Sequence, residues 1–586
     1  MSTSHVQRPP RPDLDPDFAN EDTYSPGDTT PMREEVRMVV LSLAIGLLLG
    51  LVVVWFRMAI DGARLIFLKS WLGSRGPLII FVPAFGGLAA ALLLQQFFHY
   101  VRGGGINETI AALSLNNGYV SLRTAIGNFI GSALAIGSGD PLGPEDPALH
   151  IGTGLASFLG RRMRLSREQL NRLAPVGAAA GIAGALNAPI AAVLFVIEVV
   201  IGSWNAATLG SVVLAVVASV IVVRYFLGAS PVFHLGAIYV GGPREVLGYI
   251  ILGVVGGFVS LALARSIQEV RAQVIRLPQW TYCLQVGIAG LAVGAIAYIG
   301  FPQILGTGYG VVSQATAGQF GWKLLLGLTA LKLLATVLSF ATRTPGGIIA
   351  PILFIGAMLG CATSGIAHSF AVHGTASGSA YALIGMAVLV TGVLRAPLTA
   401  LMLVVELAGS YWIIIPAMIA ISIAYLLGRR LQPHSLLELL RIQDGMRLPR
   451  IEVQKPEAAL RVQDAMQAPS FPVVDSSLTL RQAWRDVVDR PGELIFVRHA
   501  DEGWTVIDRA VLDQLEAVSD PQQRLKDNMD ASRMPQLYPD LPLDTTLRHL
   551  HRWPVLPVVS RANVRTLAGI ITMDAVMARY QSQLPR

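Results

Sequence analysis

Charged residues and cysteine are both scarce in this chain of 586 residues. Asp, Glu, Lys and Arg together make up 14% of it, and only two cysteines occur, Cys283 and Cys361. Two isolated cysteines in apolar stretches exclude a disulfide framework and carry no redox argument. With 53% hydrophobic residues and a mean hydropathy of +0.55, the composition excludes an ordinary soluble protein and indicates a polytopic membrane protein.

The few acidic residues are concentrated towards the ends. Residues 38–428 contain ten of the 38 Asp and Glu residues. The polar segment 1–31, rich in Pro and Asp, predicts a disordered tail. We expect a membrane body over 32–436, a basic linker over 437–460 and a soluble end. The net charge of +7 is explained by juxtamembrane arginines, so no nucleic-acid partner is expected.

Four apolar stretches contain no Asp, Glu, Lys or Arg and are long enough to span a bilayer: 38–56, 77–100, 201–223 and 246–264. Four others are interrupted by Gly or Pro: 143–160, 177–197, 347–372 and 385–405. Broken helices are tolerated at membrane depth where the backbone is buried in protein or lines a cavity.

An internal repeat relates the two halves of the membrane body. The pattern Gly-x-x-x-Pro-x-x-x-Ile-Gly occurs at 143–152 and again at 347–356. Two further patterns recur in the same order: Gly103 to Gly105 as Gly306 to Gly308, and Leu186-x-Ala-Pro with Glu198 as Leu394-x-Ala-Pro with Glu406. The predicted repeats are 32–228 and 240–436. Repeats with broken helices predict a transporter with its site at the repeat interface.

Both copies of the first pattern predict a tight turn followed by a helix start, at Gly143 and at Gly347. Free backbone N–H groups and the positive end of each helix dipole would point into the protein there. Such a site binds an anion without any basic side chain, and weakly enough for release. At the glycines 103–105, a third segment of backbone without side chains could come close to the anion.

Glu145 lies inside the first of these turns, and a carboxylate at bilayer depth marks a functional site. We interpret it as a gate that occupies the anion site itself and leaves when protonated. The alternative is a capping carboxylate that satisfies free N–H groups. Asp146 is interpreted as a local cap, His150 as a packed helix residue, and Glu198 and Glu406 as structural hydrogen-bond partners.

These residues resemble the CLC family of chloride channels and chloride/proton exchangers over about 32–436. Gly143-Pro-Glu-Asp-Pro resembles the family's Gly-Arg-Glu-Gly-Pro, and Gly347-Ile-Ile-Ala-Pro resembles its Gly-x-Phe-x-Pro. The resemblance implies a polytopic all-α membrane protein with two inverted repeats and broken helices, and a homodimer with one pore per subunit. It implies Glu145 as the gating glutamate, chloride as the transported ion, and no cofactor in the membrane body. It implies anion contacts at Gly104, Gly105, Ile106, Gly143, Pro144, Gly347, Ile348 and Ile349.

Three departures from the family bear on mechanism. Gly104 replaces the serine that binds the central anion, and Pro433-His-Ser-Leu436 occupies the region where a pore tyrosine is expected. Exchangers of the family often carry a proton-relay glutamate directly after the position of Glu198, where this chain has Val199. Valine there is similar to the channel branch. We therefore expect a voltage- or pH-gated chloride channel, with a chloride/proton antiporter as the alternative.

The soluble end contains two related copies, 461–518 and 519–586, each ending in a β-rich run and a helix. They resemble a tandem pair of CBS domains with an α/β fold. Such pairs can bind an adenine nucleotide, and Thr572, Asp574 and Asp508 are the candidate residues. A structural or dimer-stabilising role is favoured, because the spacing departs from the usual one.

Other function classes have less support. An enzyme with Glu145 as general acid or base would need a nucleophile, a metal cluster or a phosphate loop, and the sequence contains none of these. A membrane-anchored nucleotide sensor is a further alternative. We expect a multi-pass protein of the cell (inner) membrane with both termini cytoplasmic. The positive-inside rule assigns the Arg-rich loop 161–172 to the cytoplasm, whereas the resemblance is interpreted as placing it outside, and we expect it outside.

Overall fold

The computed structural model forms two compact units, residues 1–450 and 451–586. It describes residues 31–69, 76–98, 105–202, 206–228, 232–242, 245–369, 376–445 and 460–582, the last range with gaps at 469–470, 491, 493, 501–502, 519, 521, 529–533, 544–545, 547–548, 551–552 and 562. The predicted tail up to residue 30 and most of the predicted linker lie outside these ranges.

Among the described residues, two sets of eight helices build the membrane unit. The first set is α1 (Pro31–Arg64), α2 (Phe81–Phe97), α3 (Gly105–Leu115), α4 (Leu122–Ser138), α5 (Glu145–Arg162), α6 (Arg167–Leu186), α7 (Pro189–Phe195) and α8 (Ala206–Leu227). The second set is α9 (Val246–Ile275), α10 (Tyr282–Tyr298), α11 (Tyr309–Thr316), α12 (Trp322–Ala341), α13 (Ile349–Ser369), α14 (Gly378–Leu394), α15 (Pro397–Ala408) and α16 (Ile414–Leu431). Each helix has its counterpart in the same order, as the sequence repeat predicts. A further helix, α17 (Leu436–Gln443), packs Leu437 and Leu440 into the same core.

The first helices of the two repeats run in opposite directions. Arg37, near the start of α1, donates a hydrogen bond to the Met163 carbonyl at 2.7 Å, and Arg271, near the end of α9, pairs with Asp444 at 2.9 Å. A series of contacts joins these places along one face: Arg161 over the Tyr119 ring (4.6 Å), Arg123 to the Phe97 carbonyl (2.6 Å), Cys283 to Gln95 (2.9 Å), Tyr282 to the Arg343 carbonyl (3.2 Å) and Arg343 to Asp444 (3.1 Å). The start of α1 and the end of α9 share this face, so the predicted inversion of the repeats is confirmed.

The contact between Arg37 and Met163 also corrects one expectation. The Arg-rich loop 161–172 lies on the same face as the start of α1. The expectation that this loop is external while the amino terminus is cytoplasmic is therefore wrong. The physical reason is that α5 begins at mid-depth and runs towards the face where α1 starts.

Seven described helical stretches are long and apolar enough to cross a membrane: Val36–Phe67, Pro77–Phe97, Thr208–Leu227, Val246–Ile275, Trp322–Ala341, Ile349–Ser369 and Tyr411–Gln443. Three of the four predicted spans coincide with these stretches, although 38–56 and 246–264 each end 11 residues before the helical stretch does. The predicted start of the stretch 201–223 is wrong. Ile201 ends a π-helical turn, and Gly202 (φ 71°) terminates this turn before α8 begins.

The short helices α7 and α15 are each capped by a carboxylate from the other repeat. Glu198 accepts from the backbone N–H groups of Leu398 and Thr399 at 3.2 and 2.9 Å. Glu406 accepts from those of Ile190 and Ala191, both at 2.8 Å. These N–H groups have no partner within their own helices. The structure thus gives both glutamates the structural role inferred from sequence.

The second unit is an α/β structure with two sheets. Strands β1 (Val473–Asp475), β2 (Leu494–Arg498) and β3 (Trp504–Asp508) form one sheet, with β1 parallel and β3 antiparallel to β2. Strands β4 (Val555–Ser560) and β5 (Asn563–Thr572) form an antiparallel pair. Four helices complete its described elements: α18 (Val462–Ala465), α19 (Leu480–Val487), α20 (Arg509–Val518) and α21 (Met573–Ser582). An antiparallel strand pair followed by a helix thus occurs in both halves, consistent with the predicted CBS pair.

Candidate functional site

The two repeated Gly motifs meet directly. Gly143 donates its N–H to the Gly347 carbonyl at 2.8 Å, and Gly347 donates its own to the Gly143 carbonyl at 2.7 Å. This antiparallel bridge lies where α5 and α13 begin, so the N-termini of both helices converge on one place. The sequence prediction paired these turns, and the structure brings them together.

Glu145 is the first residue of α5 and is fully buried. Its Oε1 accepts a hydrogen bond from the hydroxyl of Tyr309, the first residue of α11. Its Oε2 has no hydrogen-bond partner among the described residues. The Tyr309 hydroxyl holds this buried carboxylate at a defined place, and displacing the carboxylate requires that this bond break.

Glycine is required at position 143 for steric reasons. A Cβ there would lie 2.1 Å from the Oε2 of Glu145 and 2.7 Å from the Cβ of Ala350. Pro144 precedes α5 without a side-chain cap, and Ile348 and Ile349 are buried at the start of α13. The predicted anion contacts in 143–144 and 347–349 therefore surround Glu145 at the convergence of the two helices.

Asp146 does not cap its own helix, which corrects the sequence interpretation. Its Oδ1 accepts from the backbone N–H of Ile106 at 2.5 Å, and thereby caps α3. Gly105 packs on this carboxylate, since a Cβ there would lie 3.0 Å from Oδ1. Gly105 and Ile106 are thus beside Asp146, while Gly104 lies outside the described residues. The physical reason is proximity: the free N–H groups of α3 lie within reach of α5.

A cavity of about 550 Å³ extends from the C-terminal end of α1 to residues that adjoin Glu145. Tyr309 and Pro144 line its inner end, and Arg57, Asp61 and Arg64 line its wall on α1. Since α1 starts on the face of Arg37, this cavity opens towards the opposite face. The guanidinium groups of Arg57 and Arg64 outnumber the single carboxylate of Asp61, which favours entry of an anion.

Tyr309 and Arg57 are absent from the sequence prediction. Tyr309 follows Gly308, and the repeat offset of 203 residues that relates Gly105 to Gly308 also relates Ile106 to Tyr309. That offset is a usable signal, since both residues lie in the first turns of equivalent helices and both hydrogen-bond an acid of α5. Arg57 belongs to none of the repeated motifs, so the repeat did not indicate it.

Val199 lies in the π-helical turn that follows α7 and packs partly buried against the core. α3 contacts this turn. At the predicted site of the missing tyrosine, Ser435 caps α17 and His434 pairs with Glu438 at 2.8 Å. The only tyrosine hydroxyl that reaches Glu145 among the described residues comes instead from α11.

The candidate nucleotide residues stand at equivalent strand ends in the soluble unit. Thr572 ends β5 and its hydroxyl accepts from the Ala575 N–H at 3.3 Å, with Asp574 in the first turn of α21. Asp508 ends β3 and accepts from the Ala510 N–H at 3.1 Å. Both side chains have local capping contacts, and nucleotide binding stays a prediction.

Residues 86–429 match the family model described as voltage gated chloride channel, which covers more than half of the chain. The chain belongs to this family, the CLC family. A putative chloride channel protein, ClcB-like, of Ralstonia nicotianae is 32% identical over 59% of this chain and 81% of its own length. The H(+)/Cl(-) exchange transporter ClcA of Salmonella paratyphi B is 30% identical over 69% of this chain and 86% of its own.

The fold is also that of solved CLC structures. The crystal structure of a eukaryotic CLC transporter matches this CLC protein with a TM-score of 0.61 at 19% identity, over 92% of this chain and 98% of the other. At this identity the likeness shows the fold alone. It covers residues of the second unit as well as the membrane unit.

Among the described residues, no group of three or more His, Cys, Asp and Glu side chains could hold a metal ion. The buried acids of the site are instead arranged around helix N-termini. The site therefore consists of converging backbone N–H groups, one buried carboxylate held by a tyrosine hydroxyl, and a cavity with an excess of arginine.

Proposed function

We propose that this CLC protein exchanges chloride for protons across the membrane, with Glu145 as the group that alternates between blocking the anion path and carrying a proton. The observation that carries this proposal is the position of Glu145 at the junction of Gly143 and Gly347. There the carboxylate occupies a place that suits an anion, because two helix N-termini converge on it. Protonation removes its charge and frees the place for chloride.

Exchange is preferred to the passive channel favoured by the sequence. Val199 was the ground for a channel, since it removes an acid from the expected relay position. The exchange transporter ClcA is similar to this chain over more than two thirds of it, which supports the alternative.

The cavity supports access for chloride from the face opposite Arg37. By the positive-inside rule, the Arg-rich loop 161–172 and the nearby start of α1 are cytoplasmic. The cavity then opens to the outside of the cell membrane. A homodimer is part of this proposal, by the resemblance to the family alone.

The test uses purified protein in liposomes with an imposed chloride gradient and no pH gradient. We expect chloride efflux to drive proton uptake into the liposomes although no pH gradient is present at the start. A pH electrode and a chloride electrode measure the two fluxes. Glu145→Gln removes the titratable group and keeps the size of the side chain. This variant is expected to move chloride with proton uptake reduced at least about tenfold, as for loss of a proton-transfer group.

Glu269→Gln is the matched control, because Glu269 is an exposed glutamate on α9 outside the site. It is expected to keep wild-type coupling. Chloride flux through the wild type without any proton uptake would contradict exchange and leave the channel. Absence of chloride flux from folded protein would contradict transport itself.

A further inference from the structure

Three titratable side chains lie together between α3 and α5, on the side of Glu145 away from the cavity. Asp146 and His150 are one turn apart on α5, and Glu108 is in the first turn of α3. Asp146 and His150 are buried, whereas the side chain of Glu108 is 26% exposed. The group thus runs from the buried gate towards a partly accessible carboxylate.

One direct contact and a shared neighbour bring this group together. The Nε2 of His150 lies 3.4 Å from the Oε2 of Glu108. Asp146 and His150 both pack on Gly105, where a Cβ would lie 2.7 Å from the His150 Cβ and 3.0 Å from the Asp146 Oδ1. Asp146 is also the immediate neighbour of Glu145 in the chain. Four titratable groups therefore follow one another along two packed helices.

Hydroxyl groups fill the remaining contacts of His150. The Thr109 hydroxyl lies 3.4 Å from its Nδ1, and also 3.5 Å from the Thr153 hydroxyl. The Nε2 of His150 makes no hydrogen bond at ordinary distance in the described structure. A buried imidazole with one nitrogen next to a carboxylate and the other next to a hydroxyl is suited to accept a proton on one side and release it on the other.

The location of Glu108 relates this group to Val199. Its helix, α3, contacts the π-helical turn that carries Val199. α3 also runs towards the face of Tyr119 and Arg161, opposite to the face on which the cavity opens. An acid on α3 can thus relay protons close to the turn from which an acid at position 199 would relay them.

Several charged side chains on the other helices packed against α3 and α5 have contacts outside this group. They are Arg57 on α1 with the Ala185 carbonyl, Arg123 on α4 with the Phe97 carbonyl, Arg172 with Glu168 on α6, and His434 with Glu438 on α17. On α13, His368 contacts the Ser364 carbonyl at 2.8 Å. Tyr309 and Arg57 lie near Glu145 on the cavity side, and Asp146, His150 and Glu108 are the titratable groups between α3 and α5.

We propose that Asp146, His150 and Glu108 form the inner proton route of this protein, in place of an acid at position 199. A proton released by the Glu145 carboxyl passes to the Asp146 carboxylate, then to one nitrogen of His150. The imidazolium releases a proton to the Glu108 carboxylate, which loses it to water. Each step moves one proton and consumes no other reactant. The imidazole is left as its other tautomer, and rotation of the ring resets it for the next proton. This proposal rests on the proposed exchange.

The test compares proton and chloride fluxes in the same liposome assay for His150→Gln and Glu108→Gln. Both substitutions remove a titratable group and keep polarity and approximate size. We expect proton uptake to fall at least about tenfold in each, as for loss of a proton-transfer group, with chloride flux within about threefold of wild type. His368→Gln and Glu168→Gln are the matched controls, one histidine and one glutamate outside the group.

The outcomes separate the route from exchange itself. Proton uptake that persists at the wild-type ratio in both variants overturns the route while exchange stands. An equal loss of coupling in the two controls also overturns it, because the effect is then not specific to the group. Wild-type chloride flux without proton uptake overturns exchange and the route together. Gel filtration and thermal unfolding check folding, and Glu108→Gln decides alone if His150→Gln does not fold, since Glu108 is partly exposed.

Discussion

The hydroxyl of Tyr309 donates a hydrogen bond to the buried carboxylate of Glu145, across 164 residues of sequence and from one repeat to the other. Tyr309 is fixed in turn by edge-to-face packing on Phe233, with ring centroids 5.2 Å apart. The second repeat therefore holds the carboxylate of the first repeat that we propose as the gate.

Tyr309→Phe is expected to increase chloride turnover. A hydrogen bond to a charged group contributes about 1.5–3 kcal/mol, so its loss lowers the equilibrium constant for the blocking position by roughly tenfold or more. Stopped-flow or electrode measurements of chloride efflux would detect this. Tyr249→Phe is the control, since the buried Tyr249 hydroxyl has no hydrogen-bond partner among the described residues. Turnover that is equal in the two variants would show that Tyr309 does not hold the gate.

Gly143→Ala is expected to reduce both stability and proton coupling. The added Cβ would overlap Glu145 and Ala350, and relief of such overlap costs about 1–3 kcal/mol. We expect a lower Tm and a displaced glutamate with weakened coupling. Gly327→Ala in α12 is the control, because nothing lies within 4 Å of its Cβ and alanine is favoured in a helix. An unchanged Tm for Gly143→Ala would contradict the close packing at the bridge.

Glu198→Ala and Glu406→Ala are each expected to destabilise the membrane unit. Each removes the acceptor for two helix N–H groups, and loss of an N-terminal cap costs about 0.5–2 kcal/mol. Thermal unfolding in detergent measures the effect. Glu269→Ala, at an exposed position of α9, is expected to change stability by less than about 0.5 kcal/mol. Equal Tm values for all three variants would refute the crossed capping.

Cysteine accessibility tests the sidedness of the loop 161–172. In a background without Cys283 and Cys361, Arg167→Cys is expected to react with a membrane-impermeant reagent only from the cytoplasm. Ile299→Cys is expected to react only from outside, since exposed Ile299 follows the end of α10 that lies away from Cys283. Labelling of both from the same side would contradict this topology.

The soluble unit is expected to act structurally. Thr572 and Asp508 already accept hydrogen bonds from their own helix N–H groups, so we expect no shift in the Tm of the full-length protein with ATP, ADP or AMP. A concentration-dependent increase in Tm that is lost in Thr572→Ala would establish a nucleotide site instead.

The pairing of Gly143 with Gly347 was predictable because glycine and proline spacing constrains backbone turns directly. The contact of Tyr309 with Glu145 was not, since a side-chain contact between repeats depends on how helices pack. Asp146 illustrates the same limit: its position suggested a cap for its own helix, and only the packing of α3 on α5 reveals its partner Ile106. A backbone turn is determined by residues adjacent in sequence. The acceptor of a buried N–H group depends instead on which side chain tertiary packing brings near it.

The crossed caps delay the completion of the first repeat until part of the second has been synthesised. Ala191 donates to Glu406, which is 215 residues further along the chain. At about 5–20 residues per second, roughly 10–40 s pass before that carboxylate exists. During this interval the N-terminus of α7 is without its cap, so the first repeat enters the membrane before it can reach its final structure. A truncated chain that ends before Glu406 is therefore a natural target for quality control.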